Sequence, residues 1–262
     1  MSAFDLNDTT FLIPIRIESK SRLRNINLLV NFLLSNFNTN IIVLECDAKQ
    51  KTDREFQKKV NYHFLKDKKN YFNPTYARNI LTSLADTPII GLWDADFVVS
   101  TEIIKKAVGI IRKEELDILY PYNGIFYETN EIVVSVFKKY LNTQIFQDYV
   151  KTFTYMNGNV SVGGGLFLNR VKYIEAGMEN TNIKMWGPDD IERFLRFKNL
   201  GLRVGRLDSP AFHLSHQRLN ACLDIKKFKK HLLKSKRELL KISNLGSEEL
   251  SSYVNTLRKK VN

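Results

Sequence analysis

PIIGLWDAD, residues 88–96, is an uncharged run that ends abruptly in two carboxylates. Six residues without a charge, from Pro88 to Trp93, suit a strand buried on both faces, as in a sheet covered by helices on each side. The stretch before it, NPTYARNILTSLADT (73–87), reads as a helix, with Pro74 at the first helical position after Asn73 and with Leu81, Leu84 and Ala85 on one face. Further upstream the same alternation recurs. FLIPIRI (11–17) is a short β-rich run, and in SKSRLRNINLLVNFLLSNF (19–37) Leu23, Ile26, Val30, Leu33 and Leu34 fall at helical spacing. IIVLE (41–45) and YHFL (62–65) are two further strands. The alternation predicts an α/β fold with a mainly parallel central sheet flanked by helices, whose ligands collect at the carboxyl ends of the strands. Asp94 and Asp96 stand at such an end.

Downstream, residues 101–113 read as a helix, ILYPYNG (118–124) as a strand entering a turn, and residues 131–150 as one more helix. GNVSVGGGLFLNR (158–170) places Gly163, Gly164 and Gly165 before an apolar strand. MWGPDDIERFLRFKNLG (185–201) gives a loop, an acidic helix start and a glycine stop at Gly201. These elements divide the chain into a catalytic domain over 1–220 and a basic helical extension over 221–262.

The 262 residues are enough for one α/β unit with a full core, and a composition 44% hydrophobic and 26% charged is that of a globular protein. The start, MSAFDLNDTT, has no basic segment leading into an apolar one, and no run approaches the roughly 18 apolar residues of a membrane span. With Cys46 and Cys222 far apart and outside any paired metal or redox spacing, the expectation is a cytoplasmic protein with reduced thiols. The net charge is +12, and much of the excess lies in 221–262. There, Ile225, Phe228, Leu232, Leu239 and Ile242 fall near one helical face among many lysines, which allows peripheral contact with the anionic inner face of a membrane or a basic-faced helix packed on the domain. Charge alone reports non-specific attraction, and no nucleic-acid partner is expected.

Several groups carry candidate chemistry. Asp94 and Asp96, two residues apart where the chain leaves extended geometry, can converge on one hard cation, Mg²⁺ or Mn²⁺, or be a solvated loop pair. Trp186 offers an aromatic surface suited to the apolar face of a sugar ring. Asp189 and Asp190 lie where a loop enters a helix, so a carboxylate there can take a proton from a hydroxyl. Equally, Asp189 can cap that helix, Asp190 can favour its positive end, and Trp186 can belong to the core. His213 and His216, in FHLSH, can complete the coordination of Mn²⁺ or simply be hydrogen-bonded. Gly164 and Gly165 let backbone approach a flat ligand, or form a bend. Arg16, behind Pro14, and Arg78, beside Asn79, would bind a diphosphate if one cleft held both, and each is otherwise a surface residue.

Taken in order, IPIR, ARN, WDAD, GGG, WGPDD and FHLSH resemble the GT-A glycosyltransferases, especially the β-1,4-galactosyltransferase and polypeptide N-acetylgalactosaminyltransferase type and bacterial polysaccharide-polymerase relatives, over roughly residues 10–218. The resemblance implies a nucleotide contact at Pro14 and Arg16, a base or ribose contact at Glu45, and a donor-side helix carrying Arg78 and Asn79. It maps the D-x-D motif onto Asp94, Ala95 and Asp96, with Asp96 the stronger metal ligand, and a further ligand onto His213 or His216, of which His213 is preferred. It makes Trp186 an acceptor-sugar platform, with Gly164, Gly165 and Asp189 also on the acceptor side, and Asp190 the general base. Pro188 and Asp189 stand where the family's W-G-G-E-D pattern has glycine and glutamate, which bears on loop mobility and acceptor contacts.

The implied reaction is inverting transfer of a hexose or N-acetylhexosamine from a UDP-sugar to a saccharide or glycolipid acceptor, with Mn²⁺ or Mg²⁺, in surface polysaccharide assembly. Competing readings are a nucleotide-sugar hydrolase, a non-catalytic nucleotide-sugar-binding protein, and a basic membrane- or nucleic-acid-binding module.

Overall fold

The computed structural model describes residues 3–69, 71–156, 160–185, 187–217 and 225–259. The first strand, β1 (Phe4–Ile15), is followed by α1 (Lys20–Asn36), β2 (Phe37–Asp47), the short α2 (Arg54–Gln57), β3 (Asn61–Lys66), α3 (Pro74–Leu84) and β4 (Ile89–Trp93). Strands β1, β2 and β3 lie side by side in parallel, and β4 then joins the other side of β1, also in parallel. Strand order therefore reverses beside β1, and in such sheets ligands bind at the carboxyl ends of the strands at that point. Pro14 is tolerated in β1 because pairing with β4 runs only from Thr9 to Leu12, so no strand on that side needs the missing N–H.

Next come β5 (Phe97–Val98), α4 (Thr101–Arg112), β6 (Ile118–Tyr120), β7 (Phe126–Glu128), α5 (Glu131–Tyr140), α6 (Gln144–Asp148), β8 (Thr154–Tyr155), β9 (Gly165–Asn169) and α7 (Arg170–Glu175). After them come α8 (Asp189–Asn199), β10 (Val204–Arg206), β11 (Ala211–His213), α9 (Ile225–Ser243) and α10 (Ser247–Arg258). The main sheet runs β10-β6-β9-β4-β1-β2-β3, and β9 is antiparallel to both its neighbours. Because β9 runs backwards, its first residue, Gly165, pairs with Trp93 at the edge where the parallel strands end. A second, four-stranded sheet, β5-β11-β7-β8, stands over that edge.

The core explains the helices. α1 buries Ile26, Leu28, Leu29, Val30, Phe32 and Leu33, each contributing about 1.5–3 kcal/mol. Trp93 is 1% exposed, packs edge-on against Phe11 and Phe97, and donates its indole N–H to the Phe97 carbonyl, which pulls the chain back just after the strand. α8 ends as its sequence promises: Gly201 has φ +78°, its N–H reaches the Lys198 carbonyl, and Leu202 N–H reaches that of Phe197.

The strand read as entering a turn over 118–124 is β6, which stops at Tyr120, and beyond it Tyr122 gives its hydroxyl to the Gly163 carbonyl. The helix expected over 131–150 breaks at Leu141, which caps α5 with φ 49°, and resumes as α6. The basic extension forms two helices that pack on the domain: Val254 and Leu257 of α10 lie against Gly177, and Ser235 of α9 lies beside Gly187. No helix among the described residues is long and apolar enough to cross a membrane.

Candidate active site

At the carboxyl end of β4 the two aspartates part. Asp96 is 4% exposed and faces β11, where His213 Nε2 lies 3.5 Å from Oδ1, while His216 Nε2 lies 3.2 Å from Oδ2. One ligand atom from each of Asp96, His213 and His216 falls within 4.8 Å of the others. The other nitrogen of His213, Nδ1, lies 3.1 Å from Glu128 Oε2, a carboxylate placed as those behind metal-binding imidazoles commonly are. One carboxylate and two imidazoles suit Mn²⁺, so the residues present fit a divalent transition ion.

Positive charge is drawn to this point. Burial alone would push the His213 imidazole down, but the Asp96 carboxylate, with Glu128 behind it, raises it to about 9. Burial would raise Asp96, yet His213 and the Arg22 guanidinium hold it well below the usual carboxylate range. Arg22 Nη1 stands 3.3 Å from Asp96 Oδ2 and 3.1 Å from His216 Nε2.

Asp94 goes the other way. Its Oδ1 accepts from Arg78 Nη2 at 3.0 Å, and its side chain keeps 37% of its surface exposed. The Arg78 guanidinium, 5% exposed on α3, also donates from Nη1 to Asp189 Oδ2 at 3.1 Å and lies 3.7 Å from Asp190 Oδ1. Behind it Glu179 takes two hydrogen bonds from Arg193 Nη1, at 2.9 and 3.0 Å, and Arg193 Nη2 donates to Asp190 Oδ1 at 2.6 Å. Asp94, Glu179, Asp189 and Asp190 thus share two guanidinium groups. Burial, with the neighbouring Asp190 carboxylate, pushes Asp189 up to about 8 against the pull of Arg78. Asp190 is the more exposed of the neighbours, 28% against 8% for the side chains, and a methyl on Gly163 would sit 2.6 Å from its Oδ2.

The expected site residues fall into three groups. Asp94, Asp96, Arg78, Asp189, Asp190, His213 and His216 surround one edge of the sheet, but the trio that could hold a metal takes both histidines and leaves out Asp94, which Arg78 engages instead. Asp189 is the first residue of α8 and does not cap it, since its carboxylate turns to Arg78. A second group is committed to the scaffold. Glu45 is fully buried and spends its oxygens on the Lys51 and Thr52 N–H groups and the Thr52 and Tyr62 hydroxyls, which leaves no side for a base or ribose. Asn79 binds both backbone groups of Glu179. Pro14 is buried in β1, while Arg16 is only partly spent: Nη2 donates to the Lys69 carbonyl at 2.6 Å and Nη1 is buried with no hydrogen-bond partner among the described residues. Gly164 and Gly165 make room for the Phe97 ring, which a methyl on either would meet at 2.3 and 2.5 Å, and Ala95 is buried in the turn. The third group, Trp186 and also Cys222, lies outside the described residues.

Sequence reasoning missed Arg22, Glu128, Glu179, Arg193 and the part played by Gly163. Arg193 had a signal, because it lies one helical turn after Asp190. Glu128 and Glu179 had none, since their partners arrive from distant strands and helices.

A family model described as glycosyl transferase family 2 matches residues 10–175. Among solved structures, S. aureus TarS, residues 1–349, in complex with UDP-GlcNAc is 16% identical with a TM-score of 0.54, over 92% of this chain and 69% of that one. Glucosyl-3-phosphoglycerate synthase from Mycobacterium tuberculosis, in complex with Mn²⁺, UDP and phosphoglyceric acid, is 11% identical with a TM-score of 0.55, over 90% of this chain and 78% of that one. No curated protein matches the chain in sequence.

Proposed function

The chain belongs to glycosyl transferase family 2 and is a nucleotide-sugar glycosyltransferase of GT-A fold, and on that premise we propose that it transfers a hexose or N-acetylhexosamine from a UDP-sugar to a saccharide or glycolipid acceptor with inversion, using Mn²⁺ or Mg²⁺. The observation that carries this reading is the cluster of Asp96, His213 and His216 at the carboxyl edge of the sheet, with the carboxylate pair Asp189–Asp190 tied through Arg78 to Asp94, two residues from Asp96. UDP in both solved structures, and Mn²⁺ in the mycobacterial one, support the choice of donor and ion.

Asp96, His213 and His216 would hold the ion, which would supply charge neutralisation for a departing diphosphate in place of a proton donor. Arg78 ties Asp94, Asp189 and Asp190 into one array. Asp190 is the base. Arg193 fixes its Oδ1, and Oδ2 remains at the open side beside Gly163, where it takes the proton of the attacking hydroxyl. Burial and the neighbouring carboxylate raise Asp189 to about 8, which favours its protonated form at neutral pH. Residues 1–220 form the catalytic unit. The extension adds contact with an anionic membrane surface through the exposed side of α9, which fits an acceptor carried on a lipid in surface polysaccharide assembly.

Isothermal titration of UDP into metal-free protein, with and without Mn²⁺ and beside the Asp96→Ala variant, tests the donor site. Mn²⁺ should strengthen UDP binding, and the substitution should abolish that gain. UDP binding that ignores Mn²⁺ in the parent protein would sink the metal assignment.

A further inference from the structure

The first two turns of α1 grip the segment that carries His216. Asn25 Nδ2 donates to the Leu214 carbonyl at 2.8 Å, Arg24 Nη2 to that of Ser215 at 2.8 Å, and Gln217 N–H to Ser21 Oγ at 2.9 Å. In the middle of this grip lies Arg22. Its Nε donates to the Arg16 carbonyl at 3.2 Å, which aims the guanidinium, and the same Nη1 faces both Asp96 Oδ2 and His216 Nε2. His216 Nε2 can offer a lone pair to Arg22, which has only donors, or an N–H to Asp96 Oδ2, 3.2 Å away. The Gln217 carbonyl, 3.2 Å from His216 Nδ1, accepts a proton there and so favours the form with its lone pair at Nε2. It is also the tautomer that a metal ligand at Nε2 requires.

We propose that Arg22 is an internal stand-in for the cation: it holds Asp96 and His216 in ligating geometry and must leave before a divalent ion binds them. This rests on the metal site of the proposed function. The guanidinium of Arg22 is one-fifth exposed, and its side chain is long enough to swing aside. Once displaced it needs an anion, and the diphosphate of the donor, beside the ion, supplies one. Ion and nucleoside diphosphate therefore bind with positive coupling, and Arg22 carries that coupling. The arrangement disfavours an ion held without a donor.

The test is a titration of Mn²⁺, read by the electron paramagnetic resonance of the free ion, into the full chain and its Arg22→Gln and Arg22→Lys variants, each with and without UDP. Circular dichroism and thermal melting check that the variants fold. In Arg22→Gln, Mn²⁺ alone should bind about tenfold more tightly, and the gain in Mn²⁺ affinity that UDP brings should shrink by a similar factor. Arg22→Lys, which keeps a cation but loses the aimed fork, should fall between. If the parent chain binds Mn²⁺ and folded Arg22→Gln binds it equally or more weakly, or keeps the full UDP effect, the stand-in role is overturned while the metal site stands. If no form binds Mn²⁺ with or without UDP, the metal site fails and the stand-in with it.

Discussion

Asp189 and Asp190 are neighbours in the chain with unlike surroundings, and the difference has a sign that stability reports. Asp189 sits against the buried Arg78 with its pKa at about 8, whereas in an unfolded chain it titrates near the ordinary 3.8. Between these values the folded protein holds a proton that the unfolded chain has released, so folding takes up a proton and stability falls as pH rises from about 4 to about 8. Asp189→Asn keeps a neutral group of the same shape at Arg78 and removes the titration. Its melting temperature should gain steadily on the parent protein between pH 5 and pH 8. An offset between the two that is the same at every pH would show that Asp189 is ionised in the folded state. Much at this scale was hidden from sequence: Arg22 meets partners 74 and 194 residues away, and no local pattern marks which of several helical arginines points inward.

At the scale of elements, α9 and α10 brace the loop before α8. Glu238 of α9 accepts from Asn180 Nδ2 at 3.2 Å and Asn182 Nδ2 at 2.9 Å, and from the Tyr253 hydroxyl of α10. Asn180 is next to Glu179, the carboxylate that holds Arg193 and so the Asp190 side chain. Glu238→Ala strips three donors of their acceptor, at a cost of about 1–3 kcal/mol, and should loosen the acceptor side first. Turnover with acceptor present should drop severalfold while UDP affinity in Mn²⁺ stays at the parent value. Equal losses in donor binding and turnover would assign Glu238 to general stability.

β2 and β4 were legible because each contains an uninterrupted apolar run buried on both faces, residues 41–44 and 89–93. The second sheet was not. Its strands are two or three residues long, too short for any periodicity, and only pairing across the fold defines them. The WDAD motif was likewise legible as a site but not in its division, because a pair of carboxylates two residues apart says nothing of the arginine that claims one of them.

The whole molecule carries a net charge of +12, and α9 shows where part of it is displayed. Lys226, Lys230, Leu233, Arg237 and Leu240 recur every three to four residues, all exposed, with Leu233 at 59% and Leu240 at 62%. A stripe of cations interrupted by two bare leucines fits a surface that is anionic outside and apolar just beneath, at about 1 kcal/mol for each basic side chain. Flotation with phosphatidylserine vesicles should recover the protein at low salt and lose it at high salt. The Lys226→Glu, Lys230→Glu, Arg237→Glu triple variant should remain in solution while still binding UDP. Flotation of that variant at the parent level would take α9 out of the contact.

The backward course of β9 has one more consequence, for the order in which the protein is made. Gly165 pairs with Trp93, and Asp96 meets His213 and His216. A ribosome delivers the N-terminal strands first, so β1 to β4 can emerge and pair while the partners of Asp96 have yet to be translated. A nascent chain that stops short of His213 has much of the sheet but cannot assemble the trio, so the cluster forms only late in synthesis.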